Sequence, residues 1–197
     1  MKNVVCFLAV EGAGKDTAGD VAVTRGYTRI ALADPLKEEV AAAFGVTVDL
    51  LNNRATKEMD LPEMGLVHCR DPHFVGWART RGCLEWAANS PRKVMQCWGD
   101  FRREGDTEYF VGQALVKIQG IPGDVVVTDL RRWNEYHALV EAGAVLIRVT
   151  RPGYAPVNTH PTAVELNEVP TDHVVDNSGS IEDLHRKVEG ILATLGS

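Results

Sequence analysis

The most constraining feature of this chain is an apolar run that ends in a glycine-rich turn with one lysine, VVCFLAVEGAGKDT at residues 4–17. Apolar residues at helical spacing follow at once. Glycines allow backbone N–H groups to turn inward around phosphate oxygens, and a helix that follows directs the positive end of its dipole at them. Lys15 adds a mobile cation. The stretch therefore predicts a buried strand, a phosphate-binding loop and a helix, as at the start of an α/β domain.

The loop departs from the strict template G-x-x-x-x-G-K-[ST] at two positions. Ala9 stands where the first glycine belongs, and Asp16 follows the lysine, although Thr17 still offers a hydroxyl one residue later. An ordinary strand-to-helix turn rich in small residues is the alternative. The residues predicted to contact nucleotide phosphates are Gly12, Ala13, Gly14, Lys15, Asp16 and Thr17.

Charge and composition limit the partners of this chain. The formal net charge of −6 argues against binding to a nucleic acid polymer, whose partners usually carry the opposite sign. Residues 54–103 nevertheless hold nine Lys or Arg against six Asp or Glu, which favours a confined anion site. The first apolar run is too short to cross a membrane. Four cysteines without C-x-x-C pairing are typical of free thiols. We therefore expect a cytoplasmic protein.

Strand and helix patterns alternate along most of the sequence. Strands are predicted over residues 4–8, 27–32, 125–128, 144–150 and 174–175, and helices after residue 15, over 35–44, 91–103 and 134–142, and from residue 180. Ser180 and Asp183 have the spacing of a helix-capping pair. The alternation predicts a three-layer α/β/α fold with a mostly parallel sheet of about five strands. Residues 1–45 and 107–197 would form the core of a single domain, with residues 46–106 as a helical insertion.

Polar residues follow several of the predicted strands. Ligands of parallel sheets bind beyond the carboxyl ends of the strands, which brings the glycine-rich loop, Asp34, Asp129 and Arg151 to one edge. An acid after a buried strand, as at Asp129, can hold Mg²⁺ together with the Thr17 hydroxyl, directly or through water. Arg131 is placed to neutralise a transferring phosphoryl group, and Arg151 is a second candidate.

Two further pairs of residues have two explanations each. Asn134 and Glu135 either contact the substrate or cap the next helix. Asp34 and Lys37 lie at the start of a helix, where a lysine is unfavourable for the helix dipole. A bound anion near Lys37 would explain its position, and so would exposure on the surface.

The segment PRKVMQCWGDFRR, residues 91–103, separates into two faces when it is wound as a helix. The polar strip contains Arg92, Gln96, Gly99 and Arg103, and the opposite face contains Val94, Cys97, Trp98 and Phe101. Arginines bind phosphate oxygens through two parallel hydrogen bonds, and an amide can contact a base edge or a sugar hydroxyl. We therefore predict a second anion site on this strip, with an ordinary solvated face as the alternative.

Five blocks of the chain resemble those of a known family: GAGKDT at 12–17, ADPLKEEVAAAFG at 33–45, PRKVMQCWGDFRR at 91–103, VVVTDLRRWNE at 125–135, and HP…DHVVDNSGSIEDL at 160–184. In this order they resemble the bacteriophage deoxynucleoside monophosphate kinases, and the G-x-G-K-x-T spacing is the variant of nucleoside monophosphate kinases. Near His160 the family tends to have a serine–glutamate pair, whereas Thr162 and Glu165 are separated here, so no role is transferred to them.

The resemblance implies the P-loop kinase fold and transfer of the γ-phosphate of ATP, with Mg²⁺, to a deoxynucleoside 5′-monophosphate (dNMP). It also implies that residues 46–106 close over the acceptor, and it makes a homodimer plausible. The predicted catalytic residues are Lys15, Arg92, Asp129 and Arg131. The predicted substrate contacts are Asp34, Lys37, Arg92, Gln96, Arg103, Arg131, Asn134, Glu135 and Arg151. Two alternatives are a P-loop kinase for dephospho-coenzyme A or a sugar acid, and a nucleotide-binding regulator without catalysis.

Overall fold

The computed structural model describes residues 2–10, 12–153 and 169–195. The helices are α1 (Lys15–Thr24), α2 (Asp34–Phe44), α3 (Val48–Asn52), α4 (Pro72–Arg81), α5 (Pro91–Gly105), α6 (Tyr109–Gly120), α7 (Trp133–Glu141) and α8 (Ile181–Leu195). Short 3-10 turns cover Pro62–Met64 and Leu66–His68. The chain forms two compact units, one made of Met1–Leu32 and Val111–Ser197 and the other of Ala33–Phe110.

The first unit contains a five-stranded sheet. Its strands are β1 (Val4–Leu8), β2 (Thr28–Ile30), β3 (Val125–Val127), β4 (Val145–Thr150) and β5 (His173–Asp176). They pair in the order β2-β3-β1-β4-β5, and every pair is parallel. All five residues of β1 are buried, as expected for a central strand covered on both faces. The prediction of a parallel sheet of about five strands is confirmed.

Helices cover both faces of this sheet. Val5 and Phe7 of β1 pack in a core with residues of α1 and α8, whereas Cys6 and Leu8 pack in a second core with residues of α6 and α7. This division follows from the alternation of side chains along a strand. The three-layer α/β/α arrangement predicted from the sequence is therefore confirmed.

A reciprocal cap begins the last helix of the first unit. The Asp183 N–H donates to Oγ of Ser180 at 3.2 Å, and the Ser180 N–H donates to Oδ2 of Asp183 at 3.3 Å. The two hydrogen bonds confirm the capping pair predicted from the sequence. The one from the Ser180 N–H lowers the pKa of the Asp183 carboxyl, and the Arg186 guanidinium lowers it further.

The second unit has a hydrophobic core of its own. Trp98 is 1% exposed, and its ring centroid lies 4.5 Å from that of Phe74. The Glu39 carboxylate accepts hydrogen bonds from Nε1 of Trp98 at 2.8 Å, from Nε of Arg102 at 2.8 Å and from the Tyr109 hydroxyl at 2.7 Å. This partly buried carboxylate therefore joins α2 to α5 and to the start of α6.

The second unit begins at Ala33, which is earlier than the insertion predicted to start near residue 46. The reason is that Leu36, Val40 and Phe44 of α2 pack in the same cluster as Trp98 of α5. In its described residues this unit consists of helices and turns, with one isolated antiparallel bridge between Leu61 and Asn89.

Across residues 2–10, 12–153 and 169–195, no helix combines the length and the apolar character needed to cross a membrane.

Candidate active site

The glycine-rich loop connects β1 to α1. Gly12 and Gly14 have φ angles of 80° and 104°, which glycine adopts without steric cost. The Ala13 side chain is buried, and the Ala13 N–H donates to the Val10 carbonyl oxygen at 3.1 Å. Gly14 is the N-cap residue of α1, and no side chain among the described residues caps this helix. A helix start of this kind is suited to binding an anion.

Lys15, Asp16 and Thr17 form the first turn of α1, directly after the loop. Nζ of Lys15 lies 2.8 Å from Oδ1 of Asp16, and these side chains are 28% and 58% exposed. An ion pair this exposed contributes little to stability, so a phosphate can replace the Asp16 carboxylate as the partner of Lys15. Thr17 is half-buried in the first turn of α1.

Strand order brings the predicted residues of the first unit to one edge of the sheet. β1 lies between β3 and β4, and all three strands are parallel. The loop follows β1, Asp129 and Arg131 follow β3, and Arg151 follows β4. Arg131 and Arg151 are exposed at this edge. The carboxyl edge of a parallel sheet is where ligands of this fold class bind.

Asp129 combines a structural contact with a predicted metal site. Its Oδ1 accepts a hydrogen bond from the Leu32 N–H at 2.8 Å, which fixes the carboxylate after β3. Among the described residues, no group of three or more His, Cys, Asp or Glu side chains is arranged to hold a metal ion. Mg²⁺ usually binds one or two protein oxygen ligands together with phosphates and water. The Thr17 hydroxyl and the Asp129 carboxylate fit that donor set.

Glu135 caps α7. Its Oε2 accepts hydrogen bonds from the Arg131 N–H at 2.7 Å and the Arg132 N–H at 3.1 Å. Burial raises the pKa of the Glu135 carboxyl, and the charge of Asp129 adds to this effect. Asn134 lies half-buried in the first turn of the same helix. The capping alternative from the sequence is therefore observed for Glu135, while substrate contacts of Asn134 and Glu135 stay predictions.

Cys6 of β1 is fully buried beside this edge of the sheet. Burial in β1 raises the pKa of its thiol well above the usual value, and the charges of Asp129 and Glu135 raise it further. Cys6 is therefore a neutral core residue. All four cysteines are free thiols, as predicted.

Asn177 contacts the glycine-rich loop, and the sequence patterns did not predict this contact. Its Nδ2 donates to the Ala13 carbonyl oxygen at 2.9 Å, across 164 positions of sequence. Its backbone N–H donates to the Thr150 carbonyl oxygen at 2.7 Å. The available signal was an amide directly after the last strand, at the edge where ligands bind.

In the second unit, α5 has the two faces predicted from its sequence. Arg92 and Gln96 are exposed, and Arg103 is partly buried. Gly99 is buried in the strip, where an added Cβ would lie 2.6 Å from Nη1 of Arg103 and 3.2 Å from Cδ1 of Leu36. The Arg103 side chain therefore lies directly over Gly99. Buried residues of the opposite face include Val94, Cys97 and Trp98.

The arginines of this strip have acidic neighbours within the second unit. Nε of Arg92 contacts the Glu58 carboxylate, with both side chains exposed. Nη1 of Arg103 lies 3.9 Å from Oδ1 of Asp100, and its Cζ lies 5.5 Å from the Phe110 ring centroid. Exposed ion pairs are weak, whereas arginine and phosphate form strong bidentate hydrogen bonds. A phosphate can therefore compete with Glu58 for the Arg92 guanidinium.

Asp34 and Lys37 form an ion pair in the first turn of α2. Nζ of Lys37 lies 3.6 Å from Oδ1 of Asp34, and the side chains are 16% and 27% exposed respectively. The Asp34 carboxylate offsets the charge of Lys37, which accounts for a lysine at a helix start without a bound anion. Contact between this pair and the substrate stays a prediction.

Comparison with known proteins identifies the family of this chain. The family model described as deoxynucleotide monophosphate kinase matches residues 84–188, which is more than half of the chain. A protein of Acanthamoeba polyphaga mimivirus, whose name refers to the same family, is 26% identical over 196 residues and 90% of each chain. The deoxynucleotide monophosphate kinase of Enterobacteria phage T4 is 32% identical over 112 residues, which are 54% of this chain and 46% of the phage protein.

The fold has a counterpart among solved structures. Dephospho-CoA kinase from Campylobacter jejuni matches with a TM-score of 0.50 and 12% identity, over 98% of this chain and 97% of that one. Identity this low shows only the shared fold, which is the P-loop kinase fold expected from the sequence. The family match extends from the second unit through β3, β4 and β5 into α8. The chain therefore belongs to the deoxynucleotide monophosphate kinase family.

Proposed function

We propose that this chain transfers the γ-phosphate of ATP to a deoxynucleoside 5′-monophosphate, which gives ADP and a deoxynucleoside diphosphate. The supporting observation is the glycine-rich loop after the central strand, with Asp129 and two exposed arginines on the same sheet edge. Family membership supplies the acceptor class. The carboxyl edge of the first unit would hold the donor nucleotide, and the α5 strip of the second unit would hold the acceptor.

The donor would be held by the loop. Backbone N–H groups of residues 12–17 would bind the β- and γ-phosphates, and Lys15 would exchange Asp16 for a phosphate oxygen. Thr17 and Asp129 would hold Mg²⁺, which when bound neutralises charge on the β- and γ-phosphate oxygens. Arg131 and Arg151 would offset the charge of the phosphoryl group during transfer.

The acceptor would be held by arginine forks. Arg92 and Arg103 would bind the monophosphate, and Gln96 would contact the base or the sugar. Asp34 and Lys37 would lie near the acceptor, and Asn134 and Glu135 would add substrate contacts at the start of α7.

The reaction needs no general base, because the attacking oxygen belongs to an already ionised phosphate monoester. A bond forms between that oxygen and the γ-phosphorus as the bond to the β–γ bridging oxygen breaks, and that oxygen leaves as part of ADP. Positioning and neutralisation of charge then supply most of the rate. We expect the protein to act on these small molecules in the cytoplasm, that of the host if it is encoded by a phage, and to form a homodimer.

A panel of acceptors tests the proposal. ADP release from ATP and Mg²⁺ would be measured with the four common dNMPs, their ribonucleotide counterparts, dephospho-coenzyme A and a sugar acid. Turnover with at least one dNMP well above that with the other acceptor classes is expected. Turnover confined to another acceptor would overturn the proposal in favour of a different P-loop kinase. ATP binding without turnover, and without thermal stabilisation by any dNMP, would indicate a regulator.

A further inference from the structure

Asn177 holds one peptide group of the glycine-rich loop in a fixed orientation. Its Nδ2 donates to the Ala13 carbonyl oxygen at 2.9 Å, and its own N–H is tied to Thr150 at the end of β4. The amide therefore approaches the loop from a backbone that is itself anchored in the sheet. Thr150 pairs with Asp176 of β5, next to Asn177, which anchors it further.

The packing around Gly14 shows that this approach is close. A Cβ at Gly14 would lie 2.5 Å from Nδ2 of Asn177 and 3.6 Å from Cδ2 of Leu184. Gly14 also has a φ of 104°, so a side chain at this position would be strained as well as crowded. Gly14 thus has two roles, because it permits the turn and makes room for the Asn177 amide.

The orientation of this peptide determines where the Gly14 N–H points. None of the described peptide bonds is cis, and in a planar trans peptide the C=O and the following N–H point in opposite directions. Because Asn177 binds the Ala13 carbonyl oxygen, the Gly14 N–H is directed away from Asn177. If the peptide flipped, the carbonyl oxygen would take the place of that N–H and repel an anion.

We propose that Asn177 is a positioning residue that locks the Ala13–Gly14 peptide so that the Gly14 N–H is presented to a phosphate of the donor nucleotide. This inference rests on the proposed function for the identity of the donor, but the binding it describes requires only a polyphosphate. Asn177 would then act on affinity for the phosphate chain, independently of the base and of the acceptor.

The test compares Asn177→Asp and Asn177→Ala with the native chain. The aspartate has nearly the same shape but cannot donate when ionised, and the alanine removes the amide without adding charge. Binding of tripolyphosphate, of ATP and of a dNMP would be measured separately by calorimetry. We expect both variants to bind tripolyphosphate and ATP about tenfold or more weakly. The reason is that the Gly14 N–H would no longer be held towards the phosphate, and hydrogen bonds to charged groups are strong. Affinity for the dNMP should stay within about twofold, because Asn177 acts only on the donor loop.

A change of pH supplies a second readout that structural damage would not reproduce. A protonated carboxyl regains a donor, so the tripolyphosphate affinity of Asn177→Asp, relative to the native chain, should recover as the pH falls from about 7 towards about 4–5. Asn177→Ala should show no such recovery. Ser178→Ala is the matched control, because it alters the same turn at a hydroxyl that donates to Asp176 instead of the loop.

The outcomes separate the alternatives. Unchanged tripolyphosphate affinity in both variants would overturn the inference. Loss of ATP binding with tripolyphosphate binding retained would assign Asn177 to the nucleoside part of ATP, which also overturns it. An equal loss of affinity for the dNMP would show that Asn177 does not act on the donor loop alone, which also overturns the inference. Because tripolyphosphate binding is measured without turnover, absence of dNMP kinase activity would refute the proposed function and leave this test intact.

Discussion

Replacement of Lys15 by methionine tests the glycine-rich loop most directly. In the part of the chain that the structure describes, its ammonium group pairs with the Asp16 carboxylate at 2.8 Å, and both side chains are partly exposed. Removing such a pair should cost at most about 1 kcal/mol of folding free energy. Methionine keeps the length of the side chain, so the main change is the loss of one positive charge.

The effect on catalysis should be much larger than the effect on stability. A unit charge about 4 Å from a phosphate charge contributes roughly 4 kcal/mol where the effective dielectric constant is near 20. Since about 1.4 kcal/mol corresponds to a factor of ten in rate, kcat/KM for ATP should fall about 10³-fold. The melting temperature should fall by no more than about 4 °C for a chain of this size.

The assay is ADP release at a saturating dNMP concentration, with thermal unfolding measured on the same samples. Lys187→Met is the matched control, because Lys187 is also a partly exposed lysine of the first unit, with its Nζ 3.7 Å from Oδ2 of Asp176. The control should retain nearly native kcat/KM. A loss smaller than about tenfold in Lys15→Met, or a similar loss in the control, would refute the assignment of Lys15.

Three further predictions concern the second unit and the last helix. Arg92→Ala should raise KM for the dNMP about tenfold, with little change in KM for ATP. The control Arg81→Ala, which also breaks an exposed pair with a glutamate, should change neither KM. Equal effects on KM for both substrates would show that Arg92 is not part of the acceptor site. Trp98→Ala should lower the free energy of unfolding in urea by about 3–5 kcal/mol, because the ring is buried, and a loss below about 1 kcal/mol would contradict this packing. Ser180→Ala should cost about 1 kcal/mol through loss of the cap, seen as a melting temperature lower by about 2–4 °C, and an unchanged value would show that the cap does not stabilise α8.

The layers of the fold were predictable because they depend on short-range patterns. β1 is a continuous apolar run, and α8 carries an apolar stripe that packs against the sheet. Strand ends were less predictable. The second strand was expected over residues 27–32, yet β2 covers Thr28–Ile30, since it pairs with the three residues of β3. Pairing of this kind joins residues distant in sequence, which a local pattern does not contain.

The candidate site divides in the same way. The loop and the faces of α5 lie within short segments, so their residues could be named in advance. The contacts of Asn177 with Ala13 and of Asp129 with Leu32 join distant segments, and only the fold brings them together. The early start of the second unit has a similar cause, because α2 packs on residues more than fifty positions further along the chain.

The separate core of residues 33–110 has a consequence for how such a chain can diversify. Its cluster is built from side chains of that segment alone, whereas the sheet rests on two other clusters. If α5 holds the acceptor as proposed, substitutions on its exposed strip can change which monophosphate binds without disturbing the two clusters that support the sheet and the glycine-rich loop.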